Sequence, residues 1–373
     1  MKTDFVFRGS YLVYRGLYNM CKNGKKICCT NKSGMALLVV LFLVMVATIL
    51  SLSFLSRSDV ELACGENMVL REQMDYLAES GLEHAKGLIL HPQEIASGYW
   101  TGAAEQQLVD GSNDFYDVNV VKDVNGECNY RITCDAYRRK NGEKIGQSSL
   151  KAELRLNPCI AFWTAGSSSI SADTTINGDV YCGGSFTNDG TIKGDVFATN
   201  PLEINPPVSG QKYGIEKAVA AGVTNPGLNI SYFTPYYSTA DSNGNVELIS
   251  QNLTVNGIVV DCNLVINGGI IKITAVKNFP ALLVGNKLTL KNGAVLEVNG
   301  FAQTANGLSV DSGTEVKISG ALFIVGTGGI SGAGKVVITA DPLKASLQIP
   351  AAMGGPITWS PAAGAFFRSI RRN

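Results

Sequence analysis

The first strong pattern in the sequence is an uncharged, apolar run of 21 residues from Met35 to Leu55. As an α-helix this run would be about 30 Å long, which matches the hydrocarbon core of a bilayer. A cleaved secretory signal fits less well, because its apolar region would be shorter and no A-x-A-like cleavage site follows the run. We therefore predict a transmembrane helix over residues 35–55. Its apolar positions include Met35, Leu38, Val39, Leu41, Phe42, Val46, Leu50 and Leu55.

Apolar positions continue after the run, now mostly at spacings of three, four and seven residues. They are Met68, Leu70, Met74, Leu77, Ala78, Leu82, Ala85, Leu88 and Ile89. This spacing predicts an amphipathic continuation of the helix over 56–92, with one side packed on a domain and Pro92 at its end. A single helix over 35–90 would be about 84 Å long.

Alternating apolar and polar residues follow the helix. They occupy 115–121, 129–136 and 148–156, and the turn signals Asn125-Gly126 and Asn141-Gly142 lie between them. The pattern predicts a small antiparallel sheet over 93–159 that packs on the second half of the helix.

Internal repeats dominate residues 160–345. Residues 175–180 recur sixteen residues later at 191–196, and residues 288–300 recur twenty residues later at 308–320. Each repeat is a short alternating strand that ends in Asn-Gly, Lys-Gly or Ser-Gly. Periods of sixteen to twenty suit the coils of a parallel β-solenoid, although an antiparallel sandwich with Asn-Gly hairpins is the alternative.

Two segments fall outside this repeat pattern. Residues 199–250 carry five prolines and are interpreted as an insertion. The tail, 346–373, contains Trp359 and Phe366-Phe367, which could cap one end of the solenoid. The predicted fold class is therefore α+β, with a long N-terminal helix, a small antiparallel sheet and a mainly β repeat domain.

Charge adds a topology to this picture. The 31 basic and 31 acidic residues cancel overall, but residues 1–34 hold seven basic side chains and one acid. The remainder therefore carries 24 basic and 30 acidic residues, a net charge of −6. By the positive-inside rule the basic leader stays in the cytoplasm and everything after residue 55 is exported. The balanced charge argues against a nucleic-acid partner.

The sequence Lys32-Ser33-Gly34-Met35, followed by the apolar run and an amphipathic helix that contains residues 78–85, resembles the N-terminus of type IV pilin-like proteins. It is most similar to the minor pilins of type IV pili and to the K-type minor pseudopilin of type II secretion. The resemblance implies that prepilin peptidase cuts after Gly34 and that the new N-terminus, Met35, is methylated.

The same resemblance implies a structural, non-enzymatic subunit. It would cross the inner membrane once, hold its C-terminal domains in the periplasm or on a filament at the cell surface, and contact other pilin-like subunits through the N-terminal helix. Most major pilins have Glu at the fifth mature position, where this chain has Val39, and this favours a minor or tip subunit. The 34-residue leader is long for the family, and a start at Met20 would give a leader of 15 residues.

Residues with recognisable chemistry are sparse. Only two histidines occur, and no C-x-x-C pair does, so a His-based triad and a zinc ribbon are not expected. Asp241, Asn243, Asn245 and Glu247 place oxygen atoms at the alternate spacing that calcium loops use, but the glycine is misplaced for an EF-hand and a polar turn is the simpler explanation. No other cofactor is expected. The alternative function is a membrane-anchored surface solenoid that binds or cleaves polysaccharide. Its candidate residues are Lys272, Lys277, Lys287 and Lys291, although a solvated face is the simpler explanation for these lysines.

Overall fold

A computed structural model describes residues 33–91, 101–122, 128–200, 208–220, 223–226, 228–233, 241–350 and 357–372. The chain divides into two compact units, Met1–Met68 and Val69–Asn373. The basic leader predicted over 1–34 lies outside the described residues except for its last two positions, and so does Pro92. The predicted fold class is confirmed, because a long N-terminal helix precedes a mainly β region with a parallel solenoid.

A single helix, α1, extends over Ser33–Leu90. It contains no proline, and its glycines are isolated, so nothing in this sequence interrupts the main-chain hydrogen bonds. The prediction of one uninterrupted helix over 35–90 agrees with this span.

An antiparallel sheet packs on the second half of α1. Its strands are β1 (Gly102–Gln106), β2 (Asp114–Lys122), β3 (Asn129–Lys140), β4 (Glu143–Leu156) and β25 (Ala365–Arg372), in the order β1-β2-β3-β4-β25. The three strands predicted from the alternation are β2, β3 and β4. The sequence did not predict β1 or β25, and β25 brings the end of the chain back to the edge of this sheet.

The solenoid is built from short parallel strands, β5 to β22. Their bounds are β5 (Ile160–Thr164), β6 (Ser168–Ile170), β7 (Thr174–Asn177), β8 (Asp179–Cys182), β9 (Phe186–Asn188), β10 (Thr191–Lys193), β11 (Val196–Ala198), β12 (Lys212–Gly214), β13 (Asn245–Val255), β14 (Ile258–Val260), β15 (Asn263–Thr274), β16 (Leu282–Val284), β17 (Leu288–Lys291), β18 (Val295–Thr304), β19 (Leu308–Val310), β20 (Glu315–Ile324), β21 (Ile330–Ser331) and β22 (Lys335–Ala340). Because the pairings are parallel, the solenoid is the correct alternative and the antiparallel sandwich is wrong for this region.

The strands form three faces. The first face holds β6, β9, β17, β19, β21 and the first parts of β13 and β15. The second holds β7, β10, β22, the second parts of β13 and β15, and the first parts of β18 and β20. The third holds β5, β8, β11, β12, β14, β16 and the second parts of β18 and β20.

The coils do not stack in the order of the chain. Ile338 in β22 lies opposite Ile176 in β7, and Leu322 in β20 lies opposite Phe162 in β5. The chain therefore enters the middle of the stack and winds outward through β8 to β12. The chain forms a new coil at β13, and each later coil lies closer to the first one. The stack closes where β20 pairs with β5 and β22 pairs with β7. Strand β12 and the first part of β13 lie within the segment that was interpreted as an insertion over 199–250, so that interpretation was too wide.

Two apolar cores result from this arrangement. One fills the interior of the solenoid and continues under α1. The other covers the outer side of the third face, where Phe323, Trp163, Tyr181, Phe197 and Tyr213 lie opposite one another on successive coils. The rings of Trp163 and Tyr181 stack with centroids 5.5 Å apart.

The segments that take part in this second core are short. They are α2 (Ile215–Ala220), a 3-10 helix (Ile230–Tyr232) and the antiparallel pair β23 (Leu347–Ile349) and β24 (Ile357–Trp359). The helix α3 (Pro342–Ala345) precedes β23. Trp359 packs edge-on against Phe323, with centroids 5.0 Å apart, and Phe367 packs by the sheet. The expectation that these tail aromatics cap a solenoid end was therefore wrong, because they cover a face and a sheet instead.

Covalent and ionic contacts join the sheet to the solenoid. A disulfide links Cys128, just before β3, to Cys159, just before β5. Lys122 Nζ lies 3.1 Å from Asp341 Oδ2 and donates to the carbonyl oxygen of Ala340 at 2.7 Å. Burial lowers the pKa of Lys122, and the neighbouring Asp341 opposes that shift. The sheet and the solenoid are thus fixed together within one compact unit.

Candidate functional site

The first part of α1 exposes its apolar side chains on every side. Leu38, Leu41 and Phe42 are each at least 60% exposed, and Leu50 and Leu55 are also exposed. Water would penalise so much uncovered apolar surface, whereas lipid or apolar helices would not. By length and composition, α1 could cross a membrane, and this part of it is compatible with a single-pass anchor.

The few polar groups in this part of α1 bond within the helix. Thr48 Oγ1 donates to the carbonyl oxygen of Met45 at 2.8 Å, and Ser51 Oγ donates to that of Ala47 at 2.8 Å. Such bonds satisfy hydroxyl groups where no water is present. The first charged residue after the apolar run, Arg57, pairs with Glu61 at 2.9 Å, and both side chains are exposed. The chemistry of the helix therefore changes from apolar to ionic near residue 57.

The second part of α1 buries one stripe against the sheet. Met74, Ala78, Leu82, Ala85 and Ile89 are fully buried, and their spacing is that of one helix face. The stripe predicted from the sequence is confirmed over these residues. It was wrong at Met68, which is 70% exposed.

The helix approaches the sheet closely at Gly81. A methyl group there would overlap Cys134 Sγ and the ring of Tyr116, so this glycine permits close packing and does not loosen the helix. Next to it, Tyr116 Oη and His84 Nδ1 lie 3.0 Å apart. The hydroxyl of Tyr116 thus has a polar partner in a largely apolar interface.

One acid on the buried side of α1 is held by groups from the sheet. Asp75 is 5% exposed, and Ser148 Oγ donates to its Oδ1 at 2.5 Å. Arg372 Nη2, from β25, lies 3.0 Å from Asp75 Oδ2. A buried carboxylate is stable only with a nearby positive charge and a hydrogen-bond donor. These contacts therefore hold α1 in place on the face of the sheet.

The predicted processing residues lie at the start of α1. Gly34 and Met35 are in its first turn, and Met35 is 73% exposed. The membrane residue Val39, where most major pilins have Glu, is half-exposed, and Val46 is partly covered. Nothing in this geometry tests the cleavage, which stays a prediction.

The two acids among the four candidate calcium ligands, Asp241 and Glu247, have other partners. Asp241 Oδ1 accepts hydrogen bonds from the amides of Asn243 at 2.9 Å and Asn245 at 2.8 Å, which makes a polar turn. Glu247 contacts the next coils, where Lys291 Nζ lies 2.8 Å from its Oε1. These contacts lower the pKa of both acids: for Asp241 the first cause is the amide of Asn245, and for Glu247 it is Lys291. Among the described residues, no group of three or more His, Cys, Asp or Glu side chains could hold a metal ion.

Two of the candidate lysines are also engaged. Lys291 pairs with Glu247, and Lys272 Nζ lies 3.0 Å from Glu297 Oε2. The pair of Lys272 and Glu297 joins the adjacent strands β15 and β18, whereas the pair of Lys291 and Glu247 reaches across β15 from β17 to β13. These lysines therefore have partners on the outer faces of the solenoid.

Comparisons with known proteins give little guidance. No protein-family model matches the chain, and no curated protein matches it. One similar structure is the competence-associated pilin ComZ from Thermus thermophilus, at 12% identity and a TM-score of 0.23, covering 81% of this chain and 97% of that one. Another is an ice-binding protein from an Antarctic biological consortium, at 13% identity and a TM-score of 0.26, covering 48% of this chain and 88% of that one. Both TM-scores lie well below 0.5, so neither similarity decides the fold or the function.

The residues themselves define a class of architecture. It is a β-solenoid joined to an antiparallel sheet, with a single long helix that is buried at one end and apolar and exposed at the other.

Proposed function

We propose that this chain is a structural minor subunit of the pilin or pseudopilin type, with an oversized β-solenoid head. The observation that carries the proposal is the division of α1. One uninterrupted helix has an exposed, uncharged apolar part and a second part whose stripe is buried under an antiparallel sheet. A helix that served only as a membrane anchor would not need to continue into the core of the head.

The proposed processing takes place at the N-terminal end of α1. Prepilin peptidase hydrolyses the peptide bond between Gly34 and Met35, which releases the basic leader and leaves the apolar helix in the inner membrane. The new amino group of Met35 is then methylated. Because the helix remains attached after cleavage, the cut prepares the subunit for assembly and does not release it.

Assembly would use the exposed part of α1. Apolar side chains from Leu38 to Leu55 leave lipid and pack against the equivalent helices of other pilin-like subunits, so that the apolar surface stays out of water. The bulky head and the Val39 position favour a tip or initiating place in a type IV pilus or a type II secretion pseudopilus. The role is structural, and no catalytic step is assigned to the head.

The test is the mass of the mature N-terminus. The full-length protein is expressed in a host that has a prepilin peptidase, purified from membranes and digested. We expect an N-terminal peptide that begins with N-methyl-Met35. A Gly34→Leu variant should keep its leader, whereas the control variant Ser33→Ala should still be cut. An intact leader on the wild-type protein in such membranes would overturn the proposal. The mass of the leader that Gly34→Leu retains would show whether translation starts at Met1 or Met20.

A further inference from the structure

One end of the solenoid stack is open on its second face. Strand β13 belongs to the last coil at this end and pairs with β15, and among the described strands none pairs with its other edge. Leu253 and Val255, in the second part of β13, lie opposite Ile271 and Ile273 on β15. Ile271 and Ile273 are fully buried, whereas Leu253 and Val255 are only partly buried. The apolar interior is therefore not fully covered at this end.

The opposite end of the stack is covered on the same face. Ile192, on the inward side of β10, is fully buried, and Val208 forms a parallel bridge to it. The main-chain edge is also used there, because the amide of Ser209 donates to the carbonyl oxygen of Ile192 at 2.9 Å. The end at β13 is thus the one that a further strand could extend.

The free edge of β13 lacks the features that protect edge strands from pairing with other chains. Charged side chains, prolines and bulges usually serve this purpose. The edge strand β25 has such protection, because it carries Arg368, Arg371 and Arg372 and its register shifts at Arg368. By contrast, Gln251–Val255 of β13 contains no charged residue and no proline, and its register against β15 is regular.

Charges near this edge are neutralised by neighbours on the same molecule. Glu247, in the first part of β13, pairs with Lys291 at 2.8 Å. Lys272, which lies beside Thr254 on β15, pairs with Glu297 at 3.0 Å. The edge therefore presents no net charge that would attract a charged partner or repel a second copy of the same surface.

We infer that this edge is a self-association surface, on which β13 of a second copy of the chain pairs antiparallel about a two-fold axis. Two identical strands in this arrangement are self-complementary. With the axis at Thr254, Leu253 of each copy lies opposite Val255 of the other, so the partly exposed apolar side chains cover one another. The main-chain groups on the free edge of Gln251–Val255 gain hydrogen-bond partners in the same step. Because the paired segment is short, the dimer is weak and reversible.

Disulfide trapping of the full-length protein in detergent tests the inference. The Cys64→Ser background is used because Cys64 is an exposed free cysteine. Across the axis, Thr254→Cys places two thiols on Cα atoms about 4.5–5.5 Å apart, a separation that a disulfide can span. We expect oxidation to link Thr254→Cys chains through position 254, as identified by mass spectrometry of the linked peptide. The matched control is Thr187→Cys, an exposed threonine on β9 at the opposite end of the stack, and it should link at least tenfold less.

A second variant separates this contact from any association through α1. Thr254→Lys places like charges opposite each other at the axis and should weaken self-association at least tenfold in analytical ultracentrifugation. Thr187→Lys should leave it unchanged, and near-UV circular dichroism shows whether each variant keeps the wild-type fold. Equal self-association of Thr254→Lys and the wild type, or no linkage through position 254, would overturn the inference. The edge would then be unpaired or would bind a different chain.

Discussion

Arg372 Nη2 lies 3.0 Å from Asp75 Oδ2, so the last described residue of the chain is joined to the buried side of the long helix. Arg372 belongs to β25, and Asp75 lies one residue after the buried Met74. Strand β25 thus helps to hold α1 against the sheet.

Removal of this arginine should weaken the packing of α1 on the sheet. We expect Arg372→Ala to lower the free energy of unfolding by about 1 kcal/mol, because Asp75 then keeps the hydrogen bond from Ser148 but loses its contact with a positive charge. The effect is modest because the side chain of Arg372 is 55% exposed, so water already screens the pair. Urea unfolding of the full chain in detergent, followed by tryptophan fluorescence, measures it.

The neighbouring residue supplies the control. Arg371 lies opposite Lys151 on β4, so Arg371→Ala relieves a like-charge contact and should leave stability within about 0.5 kcal/mol of the wild type. An equal decrease in the free energy of unfolding in both variants would show that the contact between Arg372 and Asp75 does not stabilise the protein.

The disulfide between Cys128 and Cys159 should be a second determinant of stability. It closes a loop with a sequence separation of 31 residues, for which chain entropy predicts a contribution of about 3–4 kcal/mol. We therefore expect Cys159→Ser to lower the unfolding midpoint in urea strongly. Cys64→Ser, at an exposed free cysteine, should not change it. A midpoint for Cys159→Ser equal to that of the wild type would contradict the expectation.

The solenoid register could be read from the sequence because stacked coils give equivalent positions the same environment. The sixteen-residue repeat places Thr175 opposite Thr191, and the twenty-residue repeat places Leu288 opposite Leu308, as the structure has them. The long apolar part of α1 was visible for a similar reason, because its composition extends over a whole segment and does not depend on particular contacts.

The order of the coils could not be read in this way. Ile338 and Ile176 meet across 162 positions of sequence, but short β-branched strands of this kind would pair equally well with several others. The same limit applies to β25, whose pairing with β4 depends on an edge that only the folded sheet provides. The disulfide partners and the column of stacked aromatic rings on the third face also result from the three-dimensional arrangement, and no local pattern marks them.

Corner glycines offer a test of the coil geometry with a matched pair. Gly320 has φ +152°, and a methyl group there would overlap the carbonyl oxygen of Gly300 on the next coil. Gly313 also has a positive φ, +77°, but nothing lies within 4 Å of an added methyl group. We expect Gly313→Ala to cost about 1 kcal/mol for backbone strain alone. Gly320→Ala should cost clearly more, because two coils must separate. Similar losses in the two variants would show that the coils are not in this close contact.

Asp179 should make stability depend on pH in an unusual direction. Its side chain is 4% exposed and accepts hydrogen bonds from the amides of Cys159 at 2.7 Å and Asp195 at 2.8 Å. Burial raises its pKa to about 6, although the two amide hydrogen bonds oppose the shift. In the unfolded chain an aspartate titrates near 3.9. Between about pH 4 and 6, therefore, the folded state holds a proton that the unfolded state has lost.

It follows that the contribution of Asp179 to the free energy of unfolding falls as the pH rises through this window, by up to about 3 kcal/mol in total. Other carboxyl groups change stability over the same range, so the informative quantity is the difference between the wild type and Asp179→Asn. We expect this difference, measured by urea unfolding of the full chain, to be most favourable to the wild type near pH 4 and to shrink toward pH 7, because the amide cannot ionise. The exposed Asp189→Asn should show no such trend. A wild-type advantage that stays constant or grows from pH 4 to pH 7 would mean that Asp179 is ionised in the folded protein well below pH 6.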